Sequence, residues 1–154
     1  MSPFSGMNRA DRRLSSDDAE EILRNGKVGT LSVSGVEGYP YGIPMNYIYD
    51  RGLLQFHTSS RDGLLLRSLR SNPRASFCVF EHVCNSKYRS IIAFGILSIE
   101  DDKKEIIERI IDKYVPKPYN ESSKKNVGEK LEHMCGLSLT IEHLTAKYVD
   151  KPGE

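Results

Sequence analysis

The sequence predicts an α+β domain whose antiparallel sheet is closed or half closed into a small barrel. Three observations carry that prediction. About six segments read as strands, and most follow one another in hairpin order. The helical segments are few, and one is inserted early between strands. The chain has 154 residues, enough for one domain with a substantial core and too few for two.

Taken in order, residues 1–14 read as a flexible polar N-terminal arm and residues 15–150 as a single domain. Ser15, Ser16 and Asp17 offer N-cap oxygens to a short helix from Asp18 to Arg24, which Asn25-Gly26 ends. Val28 to Val33 alternates as a strand. SGVEGYP is a turn, a longer strand follows from Tyr41 to Asp50, and Arg51-Gly52 closes a hairpin into Leu53–Thr58. Asp62 is placed to cap the next helix, with Leu65, Leu66 and Leu69 facing one way, and Asn72-Pro73 stops it. Ala75 to Glu81 is a strand. So is Lys87–Glu100, whose centre is apolar on both faces and is expected to be buried on both. Ile106, Ile107, Ile110, Ile111 and Tyr114 form a helical stripe, and Pro116 and Pro118 break it. A weaker helix (Val127, Leu131, Met134) precedes the last strand, Leu137 to Val149.

Charge sets outer bounds on function. The 22 basic and 21 acidic side chains nearly cancel, which gives no electrostatic case for nucleic acid or an anionic membrane as the main partner. The longest apolar runs are far too short to span a bilayer, and the opening MSPFSGMNRADRR lacks the apolar core of a secretory signal. A cytoplasmic protein is expected, with Cys78, Cys84 and Cys135 as reduced thiols. His82 with Cys84 and His133 with Cys135 fall short of zinc spacing, so no metal site is expected. His143 alternates with Ile141 and Leu139 and reads as a packed strand residue.

The most informative stretch is HTSSRDG, residues 57–63. A strand that ends in a polar loop and feeds a helix N-terminus presents free backbone N–H groups and the positive end of the helix dipole, an arrangement that suits an anion. Thr58, Ser59 and Ser60 add hydroxyls, Arg61 adds a charged fork matched to phosphate, and His57 offers a further donor. A serine- and threonine-rich turn that only caps a helix would explain one or two of these side chains. Just upstream, YGIPMNYIYD sets Gly42, Pro44, Asn46 and Ile48 on one strand face, unusually small and polar. Pro44 removes a ladder N–H, so the strand is an edge or is bulged there, and a flat ligand can approach the backbone. In YRSIIAFG, Arg89 and Ser90 open the long strand. Together these pieces describe a pocket for something flat with a phosphate at one end.

The order YPYGIPMNY, then LLQFHTSSRDG, a helix and NPR, then a strand ending in FE, then YRSIIAFG, resembles the FMN-binding split-barrel superfamily of pyridoxamine 5′-phosphate oxidase-like proteins. Within it, the sequence is most similar to the 5-nitroimidazole-resistance, nitroreductase-like branch. The resemblance spans roughly residues 15–150 and implies a homodimer of six-stranded antiparallel split β-barrels with flanking helices, with FMN at the dimer interface. It implies that His57, Thr58, Ser59, Ser60 and Arg61 hold the phosphate and ribityl chain. Pro44, Met45, Asn46 and Tyr47 would lie along the isoalloxazine ring, bonding it largely through backbone groups, and Arg89 and Ser90 would complete the phosphate end. Relatives carry one or two basic residues directly after the glycine corresponding to Gly63; here those cofactor-facing places are Leu64 and Leu65, and Arg61 or Arg67 is the candidate substitute.

The implied activity is that of an FMN-dependent oxidoreductase reducing a small oxidised molecule, with nitroaromatics among the candidates and NAD(P)H or another compound as donor. His57 is the candidate proton donor, with a plain cofactor contact as its other role. A non-catalytic flavin- or haem-binding module, and a deazaflavin-dependent reductase on the same barrel, are the alternatives. Basic residues to grip a second, substrate phosphate, as pyridoxamine phosphate oxidation requires, are not found.

Overall fold

The computed structural model describes residues 4, 6–84, 87–118, 126 and 129–150. Helix α1 spans Ser16–Asn25, and the Ser15 hydroxyl oxygen accepts the Asp18 N–H at 3.1 Å as its N-cap. It buries Ala19, Ile22 and Leu23, the stripe that helical spacing selects. Strands β1 (Val28–Ser34) and β2 (Pro40–Asn46) form a hairpin, and β3 (Ile48–Asp50) pairs with β4 (Leu53–Ser59). Helix α2 (Leu64–Ser71) leads to β5 (Arg74–Cys84) and β6 (Lys87–Glu100). Helix α3 (Lys103–Tyr114) and the long strand β7 (Met134–Asp150) complete the described elements. Of the helix expected over Val127, Leu131 and Met134, Val127 lies outside the described residues, while Met134 opens β7.

All pairings are antiparallel, and the strand order is β2-β1-β5-β6-β7-β4-β3. The sheet therefore has seven strands where six were expected. The extra strand comes from the expected Tyr41–Asp50 segment, which breaks at Tyr47. Its first part pairs with β1 and its second with β4, so one residue joins the two outermost strands. That short link forces the sheet to curl towards closure.

The barrel interior is filled from β1, β4, β5, β6 and β7 and from the β2–β3 joint. Leu31, Tyr47, Leu54, Phe56, Phe77, Ile91, Ala93, Leu137 and Leu139 are all fully buried. Phe77 is the hub, with its ring centroid 4.9 Å from Tyr47 and 5.0 Å from Phe56. A second, smaller cluster of Ile48, Ile106 and Ile110 fixes α3 against the outside of β3 and β4. Alternation in β6 corrects one expectation. Ile91, Ala93 and Leu97 face the core, but Ile92 is 39% exposed, so the strand centre is not buried on both faces. The N-terminal arm is also engaged with the sheet at its end, where the Leu14 N–H donates to the Ala146 carbonyl and Arg13 bridges to Lys147. No helix among the described residues is long and apolar enough to cross a membrane.

Candidate functional site

The β3–β4 register brings the two key sequence stretches together. Ile48 stands opposite Gln55. The ladder stops there, since Asn46 pairs with Val28 of β1, but β2 and β4 touch across the single-residue joint. The end of β2 thus adjoins the strand that leads into the HTSSRDG corner, although the two elements sit towards opposite ends of the strand order.

On the outer side of the sheet, Pro44, Thr30, Cys78, Ile92 and Thr145 form one row across five strands. Asn46 opposite Val28 and Phe80 opposite Ser90 belong to the next row. Pro44 and Asn46 are exposed, and with Gly42 they leave a low surface beside the apolar Val28, Phe80 and Ile92. An open cavity of about 520 Å³ adjoins this face, lined by Ser32, Tyr39, Arg74 and Phe94 among others. It lies on the β1–β2 hairpin and does not include the His57 corner.

At the corner itself the chain leaves groups unsatisfied. His57 is half-buried, and its Nδ1 is buried with no hydrogen-bond partner. Burial lowers its pKa, so the imidazole is neutral near pH 7. Ser59, Ser60 and Arg61 are exposed, and Thr58 is half-buried. The loop is folded locally: Ser59 Oγ accepts the Arg61 N–H at 3.3 Å, Ser60 donates to the His133 carbonyl at 2.8 Å, and Gly63 donates to the Arg61 carbonyl at 2.7 Å. Gly63, not Asp62, occupies the N-cap of α2, and no side chain caps the helix. Asp62 instead pairs with Arg70 on the same helix. The first-turn amides of α2 are therefore left for solvent or a ligand.

Several expected residues sit elsewhere. Leu65 is buried in the main core, so its side chain does not face the corner. Tyr47 is fully buried, and its peptide N–H and C=O are both taken by Tyr114 and Lys113. It cannot bond a ring through its backbone, because those groups are already satisfied by the last turn of α3. Met45 likewise turns its side chain into the core. Arg89 is held by Glu81, with Nε 2.6 Å from the carboxylate, on the strand face opposite to its neighbour Ser90. Ser90 stands opposite Lys147 of β7, whereas His57 stands opposite Gly136, eleven residues away on that strand. Within one chain, Arg89 and Ser90 are not at the corner.

The structure also adds cations that sequence spacing does not reveal. Lys103, at the start of α3, donates to the Met134 carbonyl at 3.3 Å, and Met134 is the register partner of Ser59. Gly136 permits this approach, since a Cβ there would lie 3.2 Å from the Lys103 Cα. The charges of Lys103 and Arg70 partly offset the burial that pushes the Cys135 thiol up, and Cys135 is the partner of Thr58. The corner is thus ringed by Arg61, Arg70 and Lys103 from three elements. Arg61 forms no ion pair among the described residues.

Residues 15–148 match the family model described as pyridoxamine 5′-phosphate oxidase. No curated protein matches the chain. Among solved structures, a conserved hypothetical protein of Mycobacterium tuberculosis superimposes with a TM-score of 0.79 at 20% identity, covering 97% of this chain and 96% of that one. A 5-nitroimidazole antibiotic resistance protein of Bacteroides thetaiotaomicron gives 0.70 at 17% identity, covering 87% and 84%. An FAD binding protein of Mycobacterium smegmatis gives 0.64 at 14%, covering 91% and 99%. At these identities the likeness is one of fold.

Proposed function

Because this chain belongs to the pyridoxamine 5′-phosphate oxidase family of FMN-binding split barrels, we propose that it is an FMN-dependent oxidoreductase. In this reading it reduces a small oxidised molecule, with nitroaromatics the first class to test, through a flavin at the interface of a homodimer. The observation that carries the reading is the approach of β2, with its low Pro44–Asn46 surface, to β4, which leads into a corner whose His57 Nδ1 and α2 first-turn amides lack partners among the described residues. A phosphate-bearing flat ligand fits both halves. The exposed hydroxyls of Ser59 and Ser60, the Arg61 guanidinium, unpaired among the described residues, and the α2 N-terminus would hold the phosphate. Pro44 and Asn46 would support the ring, while Tyr47 and Met45 would shape that support from inside.

When bound, the flavin supplies the redox chemistry, passing electrons from a donor such as NAD(P)H to the acceptor. The neutral imidazole of His57 would donate its single N–H as a hydrogen bond to the cofactor or to a substrate; acting as a proton donor would require the imidazolium, which burial disfavours. A second subunit explains two features otherwise unaccounted for. It would cover the exposed Phe80 (57%), Val28 (54%) and Ile92 (39%). It would also bring a second copy's Ser90 towards a ligand that one chain's Ser90 does not approach.

The test is the visible spectrum of the protein purified from cells, followed by turnover with NAD(P)H and a nitro acceptor. Flavin bands at one FMN per chain, on a dimer, support the proposal. A monomer carrying stoichiometric FMN refutes the interface. The buried Leu65 and half-buried Leu64 leave no cation directly after Gly63, and that favours a second reading, a binding module for haem or a deazaflavin. The position of the absorption bands separates the three ligands, and their appearance without turnover favours the module.

A further inference from the structure

Tyr47 belongs to neither ladder of the sheet. The β1–β2 pairing ends at Asn46, and the β3–β4 pairing begins at Ile48. Its peptide groups would be orphans in a closed barrel, and a buried orphan is costly. The last turn of α3 supplies the partners. The Tyr47 N–H donates to the Tyr114 hydroxyl at 2.9 Å. That hydroxyl gives its single proton to the Tyr47 or the Lys27 carbonyl, each 2.7 Å away. Lys113 Nζ donates to the Gly26 carbonyl at 2.6 Å and the Tyr47 carbonyl at 3.1 Å, and lies 4.4 Å from the centre of the Tyr47 ring. Gly26 is needed at that spot, because a Cβ would collide with the Tyr47 side chain.

We propose that Lys113 and Tyr114 are positioning residues for the cofactor: by clamping the Tyr47 peptide, they hold Pro44 and Asn46 as the flat outer surface on which the flavin ring rests. The inference rests on the flavin reading above. The clamp touches no outer-face residue, yet it fixes the residue immediately after Asn46. A ring stacked on backbone needs its support held to within about half an ångström. The clamp is also a costly device if its only purpose is stability. Desolvation brings the Lys113 pKa down to about 8, with the Lys27 charge adding to the effect. Tyr114 by itself already bonds both peptide groups of Tyr47, so at that residue the ammonium adds a second hold in spite of its desolvation.

The test uses the full chain freed of flavin, with Tyr114→Phe, Lys113→Met, Lys113→Arg and, as control, Arg109→Met. Arg109 lies on the same helix and bonds Gln55 and Asp50, but not the joint. FMN dissociation constants come from fluorescence titration, the spectrum of bound flavin is recorded, and each variant's urea midpoint is measured. Tyr114→Phe and Lys113→Met are expected to weaken FMN about tenfold and to move the bound spectrum towards that of free flavin. Lys113→Arg should restore affinity to within about threefold, since it keeps charge and donors. Arg109→Met should lose stability comparably and bind FMN as wild type does. Unchanged affinity in both clamp variants, or an equal loss in Arg109→Met, overturns the inference while leaving the flavin reading intact. If Tyr114→Phe does not fold, the Lys113→Met and Lys113→Arg pair decides alone. A wild-type chain that refuses FMN overturns the flavin reading, and this inference with it.

Discussion

The β2–β3 joint and the β4–α2 corner lie side by side, yet they are built in opposite ways. At the joint both peptide groups of Tyr47 are bonded by α3, and only its buried hydroxyl lacks a partner among the described residues. Tyr47 is fully buried, and α3 reaches across 67 residues of sequence to bond it. At the corner the helix has no side-chain cap, His57 Nδ1 has no partner, and Arg61 has no ion pair among the described residues. The Tyr47 hydroxyl is sealed inside the core, whereas the unpaired groups of the corner sit beside exposed hydroxyls and a guanidinium that a ligand can reach. The difference therefore separates a support from a grip. The joint provides rigidity, and the corner withholds its donors for something else.

The strongest way to break this contrast is to compare stability on the two sides. Phe77→Ala removes the ring that packs on Tyr47 and Phe56, and should cost about 3–5 kcal/mol in urea unfolding. Arg61→Ala should change stability by less than about 0.5 kcal/mol, since its side chain is exposed and forms no ion pair among the described residues. A loss of several kcal/mol from Arg61→Ala would show that the corner is structural and would remove the grounds for a ligand there.

Affinity should run the other way. Arg61→Ala is expected to weaken FMN about tenfold, the effect of one charged hydrogen bond of roughly 1.5 kcal/mol. Arg67→Ala, one turn into the helix, should weaken it less than threefold. Equal dissociation constants for the two variants would sink the idea that Arg61 replaces the basic residues missing after Gly63. Lys103→Met sharpens the same comparison, because Lys103 reaches the corner from α3 through Met134.

How far the sequence could be read follows the same division. The strands of the main sheet and the apolar stripe of α3 are legible, because period-two and period-3.6 patterns report burial directly. β6 appears with the bounds its pattern predicts, Lys87–Glu100. The polar run at the corner is legible too, since hydroxyls, arginine and a helix start have to be adjacent in sequence to act together. The break at Tyr47 is not. Side-chain alternation continues through Tyr41, Ile43, Met45, Tyr47 and Tyr49, while the hydrogen-bond partner changes from β1 to β4. Periodicity records which face a residue takes, not which strand its backbone meets. The Tyr114 clamp, the Lys103 cation and the Asp62–Arg70 pair were likewise out of reach, since each depends on a tertiary approach or on a competition between caps.

The smallest predicted effect tests the joint through pH. Lys113 ionises at about 8 in the folded protein, against 10.5 in the unfolded chain. Between these values the unfolded state holds more protons, so stability rises with pH across the window, is complete above about 10.5 and is lost as pH falls to 8. The ammonium is about half exposed, so the full shift must be discounted for solvent screening, leaving roughly 1 kcal/mol. Lys113→Met should remove this slope. Tyr47 and Tyr114 are both pushed above the usual tyrosine range by burial, so neither phenol mimics the effect below pH 10. Urea midpoints for wild type and Lys113→Met at pH 7.5 and 9.5 therefore isolate one group. Parallel changes in the two proteins would mean that the ammonium is solvated like any surface lysine, and that the joint is held by Tyr114 alone.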